Sequence, residues 1–487
     1  MAPPDVAPDA VLAMPLLVEA RTSRPVLEVG LARAATERAP RPGTLPGGVE
    51  SLLLDSPDGA PNDLAAQRWG VVAVQGPEGD AQLEAIRPLL QYRSEQQQAP
   101  VKVYRVSPGL GAEAAASWQE SVHQASDVSE RERPRYLLLL GDLPQVSLSF
   151  QQVMAHGAYV GRLHVSQPDG GSDLRGYTDY ANKVVACEQR SDQPPTPRAL
   201  LYTAHDGTGA TRQGHAALMR PCLQRLQERW PRERPGATVT EVPYDGTATG
   251  LLRHVGEARS GLLLSVSHGL GRPPEGWSSV EEQRRLQGAM SLGPGEVLSG
   301  EWLRDVPFLP GGMWLNVSCF GAATPSESAF HAWLTLLARE GAYQASANEV
   351  LQHLPGAGEQ PFLAALPQAL LANPRGPLAV VGHADLTWTL GLLDATDPQR
   401  ARPDRLLSAL ETLANGSRAG VALDALLRFY RGINERVLQQ YQARENARVG
   451  GTKDPTQPAK LGLLWMLRND LRGYLLLGDP AARLTAD

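Results

Sequence analysis

Gly261-Leu-Leu-Leu-Ser-Val-Ser-His268-Gly269 is an apolar run that stops at an imidazole beside a glycine. Met313-Trp-Leu-Asn-Val-Ser-Cys319-Phe-Gly321 repeats the plan with a thiol in place of the imidazole. Short continuous apolar runs of this kind read as buried strands of a parallel sheet. In open α/β sheets the chemistry sits just beyond the carboxyl ends of the strands. Two neighbouring strands of this form would therefore deliver His268 and Cys319 to one rim.

The rest of the chain carries the same rhythm on both sides of this pair. Strands are predicted from Trp69 to Gln75, Val101 to Val106, Arg135 to Asp142 and Ala158 to Val165, with helical patterns over 81–91, 113–125 and 177–188. A Pro-rich break, Gln193-Pro-Pro-Thr-Pro-Arg198, marks a boundary, and the alternation restarts beyond it. Ala199–Ala204 and Ala237–Val242 read as strands with helices over 213–229 and 251–260, followed by the two focal strands. Pro377–His383 is a further strand, with helices over 326–340, 405–413 and 420–442, and the chain closes on Leu471-Arg-Gly-Tyr-Leu-Leu-Leu-Gly-Asp-Pro480. Alternating βα units predict an α/β fold with a mainly parallel sheet and right-handed crossovers, in two consecutive subdomains. The expected division is a leader or pro-segment over 1–64, an N-terminal α/β subdomain over 65–198 and a catalytic subdomain over 199–487. The leader is rich in Pro, Ala and Gly, with one apolar segment from Met14 to Glu19. A flexible leader, a pro-segment and a partner-docking arm are all compatible with it. The stretch 271–300 is expected to be a long functional or solvated loop.

At 487 residues, 42% hydrophobic and 20% charged, the composition is that of a soluble globular chain. A net charge of −6 without a basic stripe argues against nucleic acid as a partner. No run reaches the roughly 20 apolar residues of a membrane span. The first residues lack the basic and apolar regions of a signal peptide, which makes the cytoplasm the expected compartment. Three cysteines, Cys187, Cys222 and Cys319, are too few for a disulfide framework and lack zinc-site spacing, so no metal or cofactor is expected.

Thiol-dependent peptide hydrolysis needs a nucleophilic sulfur, a proton donor for the leaving amine and donors for the oxyanion. Cys319 supplies the first and His268 the second, and the backbone N–H groups of Gly269 and Cys319 are the candidate oxyanion hole. Glycine at 269 lets a carbonyl approach the backbone without a Cβ clash. Taken singly, a cysteine or histidine at a strand end is more often a core residue. The conjunction is more telling, because 319 − 268 is 51 residues, the separation found in caspases.

On these residues the chain resembles the caspase-like (clan CD) cysteine peptidases. It is most similar to the gingipain family, with a secondary likeness to bacterial CHAT-domain peptidases. The likeness lies in the runs before Ser267-His268-Gly269 and before Ser318-Cys319-Phe-Gly321. Tyr159-Val-Gly-Arg162, Tyr177-Thr-Asp-Tyr-Ala-Asn-Lys-Val-Val and Leu477-Gly-Asp-Pro480 extend it over roughly residues 65–487. The caspase signature Gln-Ala-Cys-x-Gly is replaced here by Val-Ser-Cys-Phe-Gly. What the resemblance implies is a three-layer caspase/gingipain-like sandwich and a cysteine endopeptidase acting on protein or peptide substrates. It also implies a zymogen with an upstream activating protease and a role in bacterial signalling or defence. Specificity in this clan lies in the pocket for the residue before the cut, and Asp206, Asp385 and Asp245 are its acidic candidates, with Trp388 as a wall. These acids imply cleavage after Arg or Lys, whereas Arg212 in the same loop as Asp206 would select an acidic residue. A catalytically silent scaffold is the non-enzymatic rival. A serine hydrolase is disfavoured because no Gly-x-Ser-x-Gly elbow is present.

Overall fold

The computed structural model describes residues 13–20, 24–38, 60–167, 170–190, 193, 196–356, 358–395, 397 and 399–486. Its centre is a ten-stranded sheet. In chain order the strands are β1 (Trp69–Val74), β2 (Lys102–Val106), β3 (Tyr136–Leu140), β4 (Tyr159–Leu163), β5 (Arg198–Thr203), β6 (Thr238–Glu241), β7 (Leu262–Val266), β8 (Met313–Val317), β9 (Ala379–His383) and β10 (Tyr474–Gly478). Their spatial order is β6-β5-β7-β8-β9-β10-β4-β3-β1-β2. Each forms where the apolar runs predict, and the mixed α/β architecture with a large, mostly parallel sheet follows from them.

Pairing is parallel throughout except at one seam, where β9 meets β10 antiparallel. Two five-stranded parallel halves thus join edge to edge. The strand that completes the first half, β10, comes from the far end of the chain. The sheet therefore runs unbroken across the boundary expected at 198.

Side-chain alternation along the strands sorts the core into layers. Leu262, Leu264, Val266, Met313, Leu315, Val317, Tyr136, Leu138 and Leu140 point into one apolar cluster that spans both halves. Leu263 and Trp314 face a second cluster, closed by Leu251, Val255, Leu366 and Leu370. Leu137 and Leu139 face a third, closed by Ala115, Phe150 and Met154.

One expectation is corrected. The stretch 271–300 is ordered: Val280–Leu286 is helical, and Met290–Gly293 and Glu296–Leu298 form a hairpin. That hairpin belongs to a second, five-stranded sheet with Gly269–Leu270, Val18–Ala20 and Arg24–Pro25. The described part of the leader packs into the molecule, with Leu16, Leu17 and Val18 fully buried. Residues 1–12, 21–23 and 39–59 lie outside the described residues. No described helix is long and apolar enough to cross a membrane.

The end of β10 is secured to the N-terminal half by charge. Arg93, fully buried on the helix Arg87–Gln97, holds Glu188 of the helix Leu174–Gln189 through two nitrogens at 2.7 and 2.8 Å. Its Nε also donates to Asp479, just past β10, at 2.8 Å. Asp479 accepts in addition from the Trp69 indole at 2.9 Å and from the Ala481 N–H at 2.9 Å. Gly478 takes φ +106°, a region open to glycine, as the chain turns out of β10 toward this aspartate. Removing one partner of a buried ion pair leaves an uncompensated charge, at about 3–5 kcal/mol. Arg93→Ala is accordingly expected to lower the urea unfolding free energy by about that amount, measured against an exposed control such as Arg87→Ala.

Candidate active site

β7 and β8 pair in parallel with Leu262 opposite Met313 and Val266 opposite Val317. His268 and Cys319 each stand two residues beyond the last pair, so the register brings the two residues to the same level at the carboxyl edge. The two backbones touch at this level. A Cβ on Gly269 would lie 1.9 Å from the Cys319 carbonyl oxygen, so only glycine fits. Immediately after Cys319, Phe320 is held at φ +56° while its N–H donates to the Asp385 carbonyl at 3.0 Å. A non-glycine residue in the left-handed region stores strain that surrounding structure must impose.

The N–H groups of Gly269 and Cys319 converge on a single acceptor, the carbonyl oxygen of Leu17, at 3.0 and 3.1 Å. They are the two donors that the sequence reading nominates for an oxyanion hole, and in this structure both are bonded to a peptide carbonyl. The segment carrying that carbonyl runs through the cleft as an added strand. On one side of Leu17 it pairs antiparallel with 387–389: the Leu17 N–H donates to the Thr387 carbonyl at 3.2 Å, and the Thr389 N–H donates to the Pro15 carbonyl at 3.2 Å. Leu16 bridges Trp388 between them. On the other side it pairs in parallel with Gly269–Leu270, and the Gly271 N–H donates to the Glu19 carbonyl at 2.8 Å.

Cys319 is fully buried beneath this segment. Its sulfur accepts from the Thr387 N–H at 3.1 Å. Burial holds the thiol well above its ordinary pKa, with the Thr387 N–H pulling the other way. His268 is also fully buried. Its Nε2 lies 3.0 Å from the Thr208 hydroxyl and 3.6 Å from an Asp206 carboxylate oxygen, whereas its Nδ1 has no hydrogen-bond partner. Burial pushes the imidazole down to about 4, opposed by the Asp206 carboxylate and the Val18 carbonyl. Burial thus disfavours the charged form of both groups, with Nε2 held by Thr208.

Asp206 thus stands behind the histidine. Its second oxygen accepts from the Thr208 N–H at 2.9 Å and the Thr211 hydroxyl at 2.7 Å, in the turn that opens the helix Gly209–Gly214. The other acidic candidates are engaged elsewhere. Asp385 is buried and caps the turn before the helix His331–Leu337, accepting from the N–H groups of Ala329 and Leu386, each at 2.7 Å. Asp245 sits on the surface at the start of the helix Ala248–Gly256, accepting from Thr247. Arg212 donates outward to the Gly207 carbonyl at 3.0 Å. Trp388 meets Leu16 through its backbone, and its buried ring packs edge-on against Phe330 and Trp333.

Sequence reasoning missed Thr208, Thr387, Leu17 and Glu19. Thr387 acts through backbone groups, which no residue type announces. The other three are recognisable only once the fold has brought three distant stretches together. The apolar segment Met14–Glu19 was the one visible signal for the last two.

No family model and no curated protein matches the chain. Among solved structures, gingipain R, an Arg-specific cysteine proteinase, aligns over 86% of this chain and 78% of its own at 12% identity and a TM-score of 0.46. A fatty acid ABC transporter substrate-binding protein from Thermomonospora curvata aligns over 81% and 78% at 13% identity and a TM-score of 0.16. Both scores lie below 0.5, so the functional reading rests on the geometry of the site.

Glu19 is buried against the Ser291 hydroxyl, and burial pushes its carboxyl up to about 7. Its folded pKa exceeds the unfolded one, so the unfolded state binds fewer protons between about pH 4.5 and 7 and stability falls as pH rises through that window. Glu19→Gln removes this loss. The variant's Tm relative to wild type is expected to rise progressively from pH 4.5 to pH 8, measured by calorimetry at matched ionic strength. A difference that stays flat across that range would contradict the assignment.

Proposed function

We propose that this chain is a cysteine endopeptidase with Cys319 as nucleophile and His268 as general acid and base. One observation carries the reading: the N–H groups of Cys319 and of Gly269, the residue after His268, converge on a peptide carbonyl oxygen at 3.1 and 3.0 Å. Donors placed where negative charge develops stabilise a tetrahedral intermediate by several kcal/mol, about 3–4 for each donor removed. The cleft also binds chain by strand addition on both sides of that carbonyl, the main-chain recognition that an endopeptidase requires.

In this reading His268 takes the proton from the Cys319 thiol as the sulfur attacks the carbonyl carbon. It then gives that proton to the leaving amine. Asp206 and Thr208 hold Nε2 and favour the imidazolium that forms in between, the orienting role of a third group. The resemblance to gingipain-like peptidases at the His268 and Cys319 motifs agrees with these assignments.

Activity on a positional-scanning peptide library and labelling by a thiol-directed peptidyl probe test the reading. Cys319→Ala and His268→Ala are expected to lower kcat/KM by at least about 10³-fold. Gly269→Ala drives a Cβ into the Cys319 carbonyl and displaces the two donors from each other, and is expected to cost about 10²-fold, mainly in kcat. Asp206→Asn is expected to cost about tenfold and to shift the pH profile, because the imidazolium loses its countercharge. Unchanged turnover in Cys319→Ala would exclude a thiol mechanism.

A further inference from the structure

We propose that the Leu17–Val18 peptide bond is itself a substrate of this site, cut in its own chain, and that the site selects an apolar side chain before the cut. The proposal rests on the cysteine endopeptidase reading above and adds to it the bond and the substrate class.

The bond is identified by its carbonyl. Of the peptide groups in the segment, that of Leu17 alone has its oxygen in the hole formed by Gly269 and Cys319. The residues before it are held by Thr387 and Thr389, and those after it by Gly271 and by the Val26 N–H, which donates to the Val18 carbonyl at 3.0 Å. A substrate chain stretched across a scissile bond needs this two-sided anchoring, since it fixes the carbonyl against the nucleophile before any chemistry occurs.

The side chains identify the class. Leu16, Leu17 and Val18 are fully buried and belong to the large apolar cluster. The three acids expected to face a basic residue are committed instead to His268, to the turn at 328–330 and to the surface at Thr247. An arginine at position 17 would be desolvated without a charged partner, which is strongly unfavourable.

The step balances with water as the only co-reactant. The Cys319 thiol proton passes to His268 and a C–S bond forms at the Leu17 carbonyl carbon, while the oxyanion rests on the two N–H groups. The C–N bond to Val18 breaks as His268 returns the proton to the Val18 nitrogen, leaving a Leu17 thioester on Cys319. A water molecule then attacks the thioester and gives one proton to His268. The thiol is restored and Leu17 becomes a carboxylate. The new chain begins at Val18, still paired in the second sheet, and the groove along 387–389 is vacated.

Full-length wild type, Cys319→Ala, Leu17→Met and Leu17→Asp are expressed and their N-termini determined by intact mass and terminal sequencing. In parallel, wild type is assayed on the peptide Ala-Met-Pro-Leu-Leu-Val-Glu-Ala, taken from residues 13–20, and on the same peptide carrying Leu17→Arg. The expected result is a wild-type and a Leu17→Met chain beginning at Val18, with Cys319→Ala and Leu17→Asp intact. The native peptide is cut at the same bond at least tenfold faster than its Leu17→Arg form. The peptide pair keeps the test decisive if Leu17→Asp does not fold. Turnover of library peptides with the Leu17–Val18 bond intact, or preference for the Leu17→Arg peptide, overturns this proposal and leaves the endopeptidase reading standing. Absence of any turnover together with an unlabelled Cys319 overturns both. A Cys319→Ala chain that also begins at Val18 assigns the cut to another protease and overturns the proposal.

Discussion

The parallel register between β7 and β8 is the constraint on which the site depends. Because Val266 pairs with Val317, two residues of continuation on each strand bring His268 and Cys319 to the same height. A slip of one residue would turn the side chains of one strand to the opposite face, since the side-chain period of a strand is two. That slip is resisted by the core itself: Leu262, Leu264, Val266, Met313, Leu315 and Val317 must all enter the same apolar cluster. Packing in the sheet interior thus determines chemistry at its edge.

Beyond that edge, main-chain groups do most of the recognition. Two backbone N–H groups hold the Leu17 carbonyl, a third holds the thiol, and the segment 15–19 is bound largely through its amides. Backbone donors are rigidly placed by the strands that carry them and need little reorganisation as charge develops. The left-handed turn at Phe320 belongs to the same arrangement. It carries the chain away from the Cys319 N–H, and its conformation is enforced by the bond to the Asp385 carbonyl. Asp385 therefore serves the site through shape, and Asp206 serves it through the histidine.

The antiparallel seam gives the molecule its unity. β10 closes the N-terminal half although it lies hundreds of residues away in sequence. The buried Arg93, Glu188 and Asp479 cluster tethers its end to two helices of that half. Such a cluster offsets a large desolvation cost only when every partner is present, which ties the closing strand to one position.

Most of the sheet was legible in the sequence. The central apolar runs became strands because a run buried on both faces has few other ways to satisfy its backbone, whereas the edge strands Lys102–Val106 and Thr238–Glu241 are partly exposed. The candidate pair His268 and Cys319 was legible too, as two like-built strands ending in reactive residues 51 positions apart. The pocket and the leader were not. Nothing in the Asp206, Asp385 or Asp245 stretches says whether a carboxylate faces a substrate, a histidine or a turn. That depends on distances between elements remote in sequence. The hairpin hidden in 271–300 and the strand at Val18–Ala20 have little apolar periodicity of their own and form by pairing on either side of Gly269–Leu270. Local pattern determines which segments become strands. Only the assembled fold decides which carbonyl comes to rest between Gly269 and Cys319, because that contact joins residues about 250 and 300 positions apart and no local preference encodes it.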